Sequence, residues 1–454
     1  MARPDPGREE WSTRVGFLLA AVGSAVGLGN IWRFPFVTGE SGGAGFLLVY
    51  LLFIVIVGFP AMLVEFVVGR RTKRNPVGAL REIGSGVWKY AGWIFVITTF
   101  VIMSYYSVVA GWTIRYTILG LQDGYADDPE ASGAQFVDLA QGLEAMGLHL
   151  LFLLVIVAIV GLGIRRGIEI AVKILVPAII VIILGLVAWA ATLGGAGEAY
   201  SYYLSPDFDQ LAADWTTVLP AAAGQAFFTL SLGFGIMITY ASYLGEDRNL
   251  GKDSGVIIGF DTAIAFLVGL VVFPILFTAG VDPGDPGAGA IFISLAAAFG
   301  DLTLGWLVGA LFFGTVVIAA LSSAISLTEV VVSSAIDEHD IDRFRATALV
   351  CGTLFVLGLA PAYDLVLLDL YDGFADGVLL VLGGLLLAIY VSWGWSNEAV
   401  EELGKGIGML GQYGQYWIWL VRVPVVIVLV VALGLGIVDY VEFLNEEFLP
   451  WVGL

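Results

Sequence analysis

The stretch GSAVGLGN at residues 23–30 interrupts an apolar run that is otherwise long enough to cross a membrane. A helix that breaks inside a bilayer frees backbone N–H and C=O groups, which must line a polar cavity or be buried in protein. Freed carbonyl oxygens suit a hard cation such as Na⁺, whereas the N-terminal end of a half-helix attracts a carboxylate. The stretch therefore predicts a site for a zwitterion together with cations.

Polar side chains in other apolar runs could complete this site. Asp261 lies in VIIGFDTAIAFLVGL and Glu65 lies in MLVEFVVG, and a carboxylate inside a membrane is costly and by default functional. We interpret Asp261 as a cation ligand and Glu65 as an acceptor for the freed backbone of a broken neighbouring helix. A glycine-rich packing face is the alternative, but it leaves Asn30, Thr229 and Asp261 without a role.

The run AALSSA contains two hydroxyls that allow two interpretations. Ser322 and Ser323 either line a site or hydrogen-bond back to their own helix. The small residues around them favour close contact between helices. Glu329 lies further along the same run and is expected to face a water-filled vestibule.

The composition is that of a membrane protein with many helical spans. Of the 454 residues, 59% are hydrophobic, whereas a soluble domain has about 45–50% apolar residues. A single cysteine, Cys351, excludes a disulfide framework and a cysteine-based metal cluster. No Ser–His, Cys–His or metal constellation indicates an enzyme, and nothing indicates a nucleic-acid partner.

Apolar runs close to the spanning length recur along the whole chain. We predict eleven membrane segments, numbered in chain order, at residues 15–37, 44–68, 93–120, 147–163, 168–192, 218–243, 255–279, 303–335, 346–361, 374–394 and 415–438. The protein is therefore expected to be an all-α polytopic membrane protein, with residues 1–454 in one transmembrane domain.

Lys and Arg are concentrated near the N-terminus and in the loops after segments 2, 4, 6 and 8. Cytoplasmic loops carry an excess of these residues. The pattern predicts a multi-pass protein of the plasma membrane with a cytoplasmic N-terminus. An odd number of segments then places the C-terminus outside the cell.

Segments 1 and 6 both contain a glycine-rich interruption, GSAVGLGN and SLGFG. They hold corresponding positions if segments 1–5 and 6–10 are two halves of opposite orientation, an inverted repeat typical of secondary transporters. We predict repeats at about residues 15–192 and 218–394, with the eleventh helix at about 415–438 outside the repeats.

The net charge of −20 is unusual beside so much apolar sequence, and the acidic residues crowd into loops such as DGYADDPEASGAQFVD. Excess surface carboxylate keeps a protein soluble in concentrated salt. The charge suggests a halophilic source as a hypothesis.

Several motifs together resemble the neurotransmitter:sodium symporter family. SAVGLGNIWRFP with GGAGFLLVY, QAFFTLSLGFG and ALSSAIS occur in the family's order and cover nearly the whole chain. Eleven segments resemble the bacterial and archaeal members that are similar to the leucine transporter. The resemblance implies a 5+5 inverted-repeat fold and symport of an amino acid with two Na⁺ ions by alternating access.

The resemblance also implies the ligands of each ion. The first sodium site would use the Ala25 carbonyl, Asn30, Thr229, Asp261 and the substrate carboxylate. The second site would use the carbonyls of Gly23, Val26 and Ala319 and the hydroxyls of Ser322 and Ser323.

By the same resemblance, the substrate would bind between the two breaks. Its carboxylate would meet Leu28, Gly29 and the Tyr106 hydroxyl, and its ammonium would meet carbonyls near Ala25. The full set of substrate-binding residues would be Ser24, Ala25, Leu28, Gly29, Ile102, Tyr106, Phe228, Thr229, Ser231, Phe234, Ser323 and Leu327. This largely apolar lining favours a hydrophobic, aliphatic L-amino acid over a charged one or a biogenic amine.

Two gates follow from the resemblance. Arg33 would pair with Asp372 across the outer vestibule. The inner gate would consist of Arg8, Asp337, Tyr243 and Trp11. Exposed ion pairs contribute only about 0–1 kcal/mol, so they suit gates that open in each cycle.

Asp261 stands where many family members have Asn and need chloride nearby. Ala265 occupies the position at which some chloride-independent relatives carry Glu. Asp261 would supply the negative charge itself, so transport is expected to be chloride-independent. A proton-coupled carrier or uniporter and a non-transporting sensor with the same fold remain the alternatives.

Overall fold

The computed structural model describes residues 9–284, 289–408 and 410–453, and in these ranges the regular structure is helical with no strand. Nine helices in them are long and apolar enough to span a membrane: Ala44–Thr72, Lys89–Leu121, Gly142–Val160, Ile164–Ala190, Leu250–Ala279, Gly305–His339, Arg343–Tyr363, Leu365–Gly394 and Gln412–Trp451. The bent pair Arg14–Ala25 and Gly29–Glu40 makes a tenth, and segment 6 is divided into Trp215–Thr229 and Ile236–Ala241.

Nine of the eleven predicted segments overlap one of these helices and segments 1 and 6 overlap two each, so the predicted all-α fold is confirmed. Shorter helices lie between them at Pro76–Ile83, Pro129–Ala140, Ala196–Leu204, Phe208–Ala213, Gly289–Phe292, Ser294–Asp301 and Ser396–Gly404.

Several spans begin before their apolar run because a polar side chain caps the first turn. Asn249 accepts a hydrogen bond from the Lys252 N–H at 2.9 Å, and the helix begins at Leu250 rather than at residue 255. Asp342 caps segment 9 in the same way and the helix begins at Arg343. Capping satisfies N–H groups that have no partner within the helix, so helical structure continues beyond the apolar part.

The two predicted breaks are present. Segment 1 bends by 48° between its two helices, and Val26 leaves the helical conformation with ψ 89°. In segment 6, residues 230–235 separate the helices, and Ser231, Gly233 and Gly235 have φ angles of 53°, 81° and 73°. These left-handed conformations favour glycine, which explains the glycines of SLGFG.

The interior of the bundle lies where segments 3 and 8 pack against each other. In these two helices, 78% and 72% of the most apolar stretch is buried, against 28% in segment 5 and 17% in segment 11. The interrupted segments 1 and 6 pack beside this pair, so both breaks lie inside the protein rather than against lipid.

Candidate functional site

A cavity of about 410 Å³ opens between the two breaks. Eleven of the twelve predicted substrate-binding residues line it: Ser24, Ala25, Leu28, Gly29, Ile102, Tyr106, Phe228, Ser231, Phe234, Ser323 and Leu327. The twelfth, Thr229, is buried and turned towards Asp261 instead. The cavity thus brings together residues from segments 1, 3, 6 and 8.

The deeper part of the cavity is apolar and aromatic. Phe228 and Phe234 contact each other edge to face with 6.1 Å between ring centroids, and Ile102 and Leu327 line the same part. The Tyr106 hydroxyl is buried and has no hydrogen-bond partner among the described residues. An apolar side chain would bind here, and Tyr106 can donate to an anionic group.

Gly27 also lines the cavity, a position that the sequence reasoning did not include. A Cβ atom there would lie 2.3 Å from the Ser323 Oγ atom and 3.2 Å from the Tyr106 hydroxyl. The glycine therefore keeps the space beside these two hydroxyls free. Its place within GLGN was the available signal.

Asp261 forms the centre of the predicted first sodium site. Its Oδ1 atom accepts a hydrogen bond of 2.8 Å from the Asn30 side-chain amide, and the Thr229 hydroxyl lies 3.3 Å from its Oδ2 atom. All three side chains are at most 1% exposed. The structure therefore brings the three predicted side-chain ligands together, and Ala25 ends the first half-helix of segment 1.

The residues of the predicted second site converge just as closely. The Ser322 hydroxyl lies 2.7 Å from the Gly23 carbonyl oxygen, 2.9 Å from that of Ala319 and 3.5 Å from that of Val26. Ser323 is 3.4 Å from the Gly23 carbonyl oxygen. These groups are uncharged oxygen donors, the type of ligand that a hard cation prefers.

A cluster of buried polar side chains lies beside Asp261 and includes the fully buried Tyr50. Gln225 donates through Nε2 to the Gly29 carbonyl at 3.0 Å. The Tyr50 hydroxyl and the Gln225 Oε1 atom have no partner in the described part of the chain. Ala265 is fully buried and contributes no charge, which leaves Asp261 as the carboxylate of this region.

The prediction for Glu65 is confirmed. Its Oε1 atom accepts a hydrogen bond of 2.8 Å from the Gly233 N–H in the break of segment 6. The carboxylate is 2% exposed and holds backbone that the break has freed.

At the predicted outer end of the cavity, the predicted partner of Arg33 is wrong. Arg33 pairs with Asp376 at 3.2 Å, not with Asp372, and its guanidinium carbon lies 4.7 Å from the centre of the Phe228 ring. Asp372 and Asp376 are one helical turn apart and both line the cavity, so sequence spacing could not distinguish them.

The predicted inner gate is described only in part, because Arg8 lies outside the described residues. Asp337 accepts hydrogen bonds from the Asn75 backbone and side-chain nitrogens at 3.1 and 2.9 Å. The Trp11 indole donates to the Tyr240 carbonyl at 3.1 Å. Tyr243 donates to Glu329 at 2.6 Å.

The expectation for Glu329 was wrong. Instead of facing a wet vestibule, it is 0% exposed and accepts hydrogen bonds from Arg343 at 2.6 and 3.0 Å. Arg343 begins the next helix, and the tertiary fold turns it back against segment 8. Burial of the carboxylate is possible because its charge is paired.

Sequence reasoning missed three further ion-paired carboxylates, Asp253, Glu402 and Glu169. Asp253, 0% exposed, pairs with Arg14 at 2.9 Å and with Arg248. Asp253 follows closely on the cap residue Asn249. Asn249 was a signal for the start of the helix, but nothing in the sequence identified the partners of Asp253.

The second missed group surrounds Glu402 in the short helix Ser396–Gly404. Glu402 pairs with the buried Arg70 at 2.7 Å and with Lys405 at 2.9 Å. Burial by itself would raise the pKa of Glu402, but hydrogen bonds from Lys405 and Arg70 hold the pKa of this carboxyl below its usual value. The motif GRRTKR contained Arg70, and nothing in the sequence separated it from its exposed neighbours.

Glu169 is a third carboxylate that the sequence reasoning left out. It is 1% exposed and accepts hydrogen bonds from Ser12 and Thr13 at 2.6 and 2.7 Å, and it pairs with Lys173. Glu169 thus connects the residues just before segment 1 to segment 5 through hydrogen bonds. Its position inside the predicted run 168–192 was an unused signal.

The sequence profile of the Sodium:neurotransmitter symporter family matches residues 8–127 and 133–453. An "Uncharacterized sodium-dependent transporter" of Haemophilus influenzae is 35% identical over 425 residues, which are 88% of this chain and 92% of that protein. A transporter with the same description from Methanocaldococcus jannaschii is 35% identical over 438 residues, 92% of this chain and 88% of that one.

A crystal structure of MhsT in complex with L-phenylalanine has a similar fold, with a TM-score of 0.84 and 38% sequence identity. The match covers 95% of this chain and all of that one. With the profile spanning nearly every residue, both broken helices in place and relatives this similar over most of their length, the chain belongs to the sodium:neurotransmitter symporter family.

Proposed function

We propose that this protein is a sodium-coupled symporter that imports a hydrophobic L-amino acid. The observation that carries the proposal is the cavity of about 410 Å³, which both helix breaks border and whose deeper lining is apolar. A charged side chain without a counter-charge would bind poorly there. The L-phenylalanine in the MhsT structure supports an amino-acid substrate.

The substrate's two charged ends meet the two breaks. The carboxylate binds at Leu28 and Gly29, where the second half-helix of segment 1 begins and its first N–H groups have no intrahelical partner. The Tyr106 hydroxyl donates to the same carboxylate. The ammonium binds at carbonyls near Ala25, Phe228 and Thr229. Phe234 closes the side-chain pocket, and we propose that it favours aliphatic over larger aromatic side chains.

Two sodium ions bind beside the substrate. The first is bound by Asp261, Asn30 and Thr229, with the Ala25 carbonyl and the substrate carboxylate. The second is bound by the carbonyls and hydroxyls around Ser322. Because the substrate supplies a ligand to the first ion, each increases the affinity of the other.

Transport is proposed to be chloride-independent because the Asp261 carboxylate provides the negative charge that a chloride ion would add. In an Asp261→Asn variant, the apparent affinity for Na⁺ falls about tenfold or more, since a charged ligand is lost. Asp301→Asn removes a charge from an exposed position and is the control. A wild-type protein that transports only when chloride is present would contradict the proposal.

The structure supports transport by alternating access. The cavity continues into the vestibule around Arg33 and Asp376, while ion pairs hold the inner end closed. We propose that two inverted repeats, at about residues 15–192 and 218–394, move relative to each other so that one end of the cavity closes when the other opens. We also propose that the protein lies in the plasma membrane with a cytoplasmic N-terminus and an extracellular C-terminus.

The test is uptake into proteoliposomes. All twenty amino acids compete against labelled leucine, in Na⁺ buffer and in buffer where K⁺ replaces Na⁺. Leucine, isoleucine and valine are expected to compete best, and uptake should cease without Na⁺. Uptake driven by a pH gradient alone would favour a proton-coupled carrier, and Na⁺-dependent binding without uptake would favour a sensor. The assay is repeated at high salt because the net charge of −20 suggests a halophilic source.

A further inference from the structure

Arg422 stands at one edge of the apolar part of segment 11. The stretch VPVVIVLVVALGLGIV follows it at residues 423–438, and Asp439 ends that stretch. The helix rises by 17 residue steps from Arg422 to Asp439 and so spans about 25 Å, close to the hydrocarbon thickness of a bilayer. The two charged residues therefore flank the hydrocarbon region, and Arg422 lies at the level of the lipid headgroups on the side rich in Lys and Arg.

The guanidinium of Arg422 is only partly used by the protein. Its Nη2 atom donates to the Ser392 carbonyl, and its central carbon lies 5.2 Å from the centre of the Trp393 ring. Its Nε atom is buried and has no hydrogen-bond partner among the described residues. A guanidinium has five N–H donors in a planar fork, and with Nε buried and one Nη2 hydrogen used, the edge formed by Nη1 and Nη2 remains for an outside partner.

The charge of Arg422 also lacks a counter-ion within the described protein. Arg14, Arg70 and Arg343 each form an ion pair with a buried carboxylate. In the part of the chain that the structure describes, no carboxylate lies within ion-pair distance of Arg422. A guanidinium stays charged at any physiological pH, and a charge at the hydrocarbon edge is costly without a partner. A partner for this charge would therefore come from outside the described part of the chain.

The surface around Arg422 is suited to lipid. Segment 11 is the least buried of the nine spanning helices among the described residues, with 17% of its most apolar stretch inside the protein. Trp393 and Trp419 are 53% and 55% exposed, and Trp419 lies three residues before Arg422 on the same helix face. Exposed tryptophans at a helix end mark the headgroup level of a membrane.

We propose that Arg422, together with Trp393 and Trp419, binds the phosphate of an anionic phospholipid headgroup. The free edge of the guanidinium donates two parallel hydrogen bonds to phosphate oxygens, a geometry that its planar fork favours. The Ser392 carbonyl and the Trp393 ring hold the guanidinium in place from the other side. The two tryptophans pack against the glycerol and upper acyl carbons. The cytoplasmic leaflet, where we place this end of segment 11, supplies anionic lipid.

The test uses the purified full-length protein and two probes with identical acyl chains, phosphatidylglycerol and phosphatidylcholine. Native mass spectrometry measures how much of each lipid remains bound. The wild-type protein is expected to prefer phosphatidylglycerol about fivefold. Arg422→Gln should lose this preference, and Arg422→Lys should keep part of it because the charge remains and the fork is lost. Arg166→Gln removes an exposed arginine from segment 5 and should retain the full preference.

Equal retention of the two lipids by the wild-type protein would overturn the proposal. An unchanged preference in Arg422→Gln would do the same, because the charge would then come from another group. If Arg422→Gln does not fold, Trp393→Leu provides a second variant that keeps the arginine. It should bind both lipids more weakly, and unchanged binding would remove Trp393 from the site. Transport is not measured, so the outcome is independent of the proposed substrate.

Discussion

The two ends of the substrate cavity are built differently. At the inner end, the carboxylates of Glu329, Asp253 and Glu402 are almost completely buried, and each is paired with at least one arginine. At the outer end, the pair of Arg33 and Asp376 has side chains that are 40% and 19% exposed. Breaking a buried pair costs far more than breaking an exposed one. In the proposed alternating-access cycle, the inner end is therefore held more strongly than the outer end, which would favour the outward-facing state.

The largest effect is expected from Glu329→Gln. The substitution removes the buried carboxylate from Arg343 and leaves it only the more exposed Glu9, and removing one partner of a buried pair costs about 3–5 kcal/mol. The thermal unfolding midpoint in detergent should fall and inward-facing protein should become more abundant. Glu338→Gln is the matched control in the same helix, because Glu338 pairs with the more exposed Arg81. If the two substitutions lowered the unfolding midpoint equally, burial of an ion pair would not determine how strongly it stabilises the protein.

Gly27→Ala tests the region between the two ends. The new Cβ atom would lie 2.3 Å from the Ser323 Oγ atom, so the lining must shift. Overpacking costs about 1–3 kcal/mol, so substrate affinity should fall at least about fivefold. Gly224→Ala, where a Cβ atom meets nothing within 4 Å, is the control for equilibrium binding of labelled leucine. A Gly27→Ala protein that binds leucine normally would show that the substrate lies elsewhere.

A smaller effect is expected from Ser326→Ala, beneath the cavity. The Ser326 hydroxyl donates to the Ser24 hydroxyl at 2.7 Å and thereby connects the cavity lining with segment 8. Loss of a neutral hydrogen bond costs about 0.5–1.5 kcal/mol, so leucine binding should weaken about two- to tenfold. Ser334→Ala, whose hydroxyl bonds only within its own helix among the described contacts, is the control. Identical leucine affinities in the two variants would show that the hydrogen bond between Ser326 and Ser24 does not contribute to substrate binding.

The smallest effect belongs to the outer pair. Arg33→Gln and Asp376→Asn should each change substrate affinity by no more than about 1 kcal/mol, because the pair is partly exposed. A double-mutant cycle should give a larger coupling for Arg33 with Asp376 than for Arg33 with Asp372. A larger coupling to Asp372 would mean that the pairing changes when substrate binds.

The fold was readable from the sequence to a large extent. All eleven apolar runs became helices, and the clusters GSAVGLGN and SLGFG marked both breaks, since few other residues adopt the left-handed angles found in segment 6. Helix ends were less accurate because capping residues such as Asn249 and Asp342 extend helices past their apolar part.

For the candidate site, the sequence predicted which residues take part better than it predicted which of them contact each other. Motif order identified the residues around the cavity, and the structure brings eleven of the twelve together. Gly27 was missed because a glycine that keeps space free carries no chemistry of its own. Arg33 was assigned to the wrong carboxylate because Asp372 and Asp376 share a helix face.

The sequence by itself determined the helices and their breaks, because hydrophobicity and backbone preference act over a few residues. Only the tertiary structure decided which charges are paired. Glu329 with Arg343, Glu402 with Arg70 and Arg422 without a carboxylate all depend on which helix ends come together. A charge is stable in a membrane only with its partner in place, and partners distant in sequence are fixed by packing.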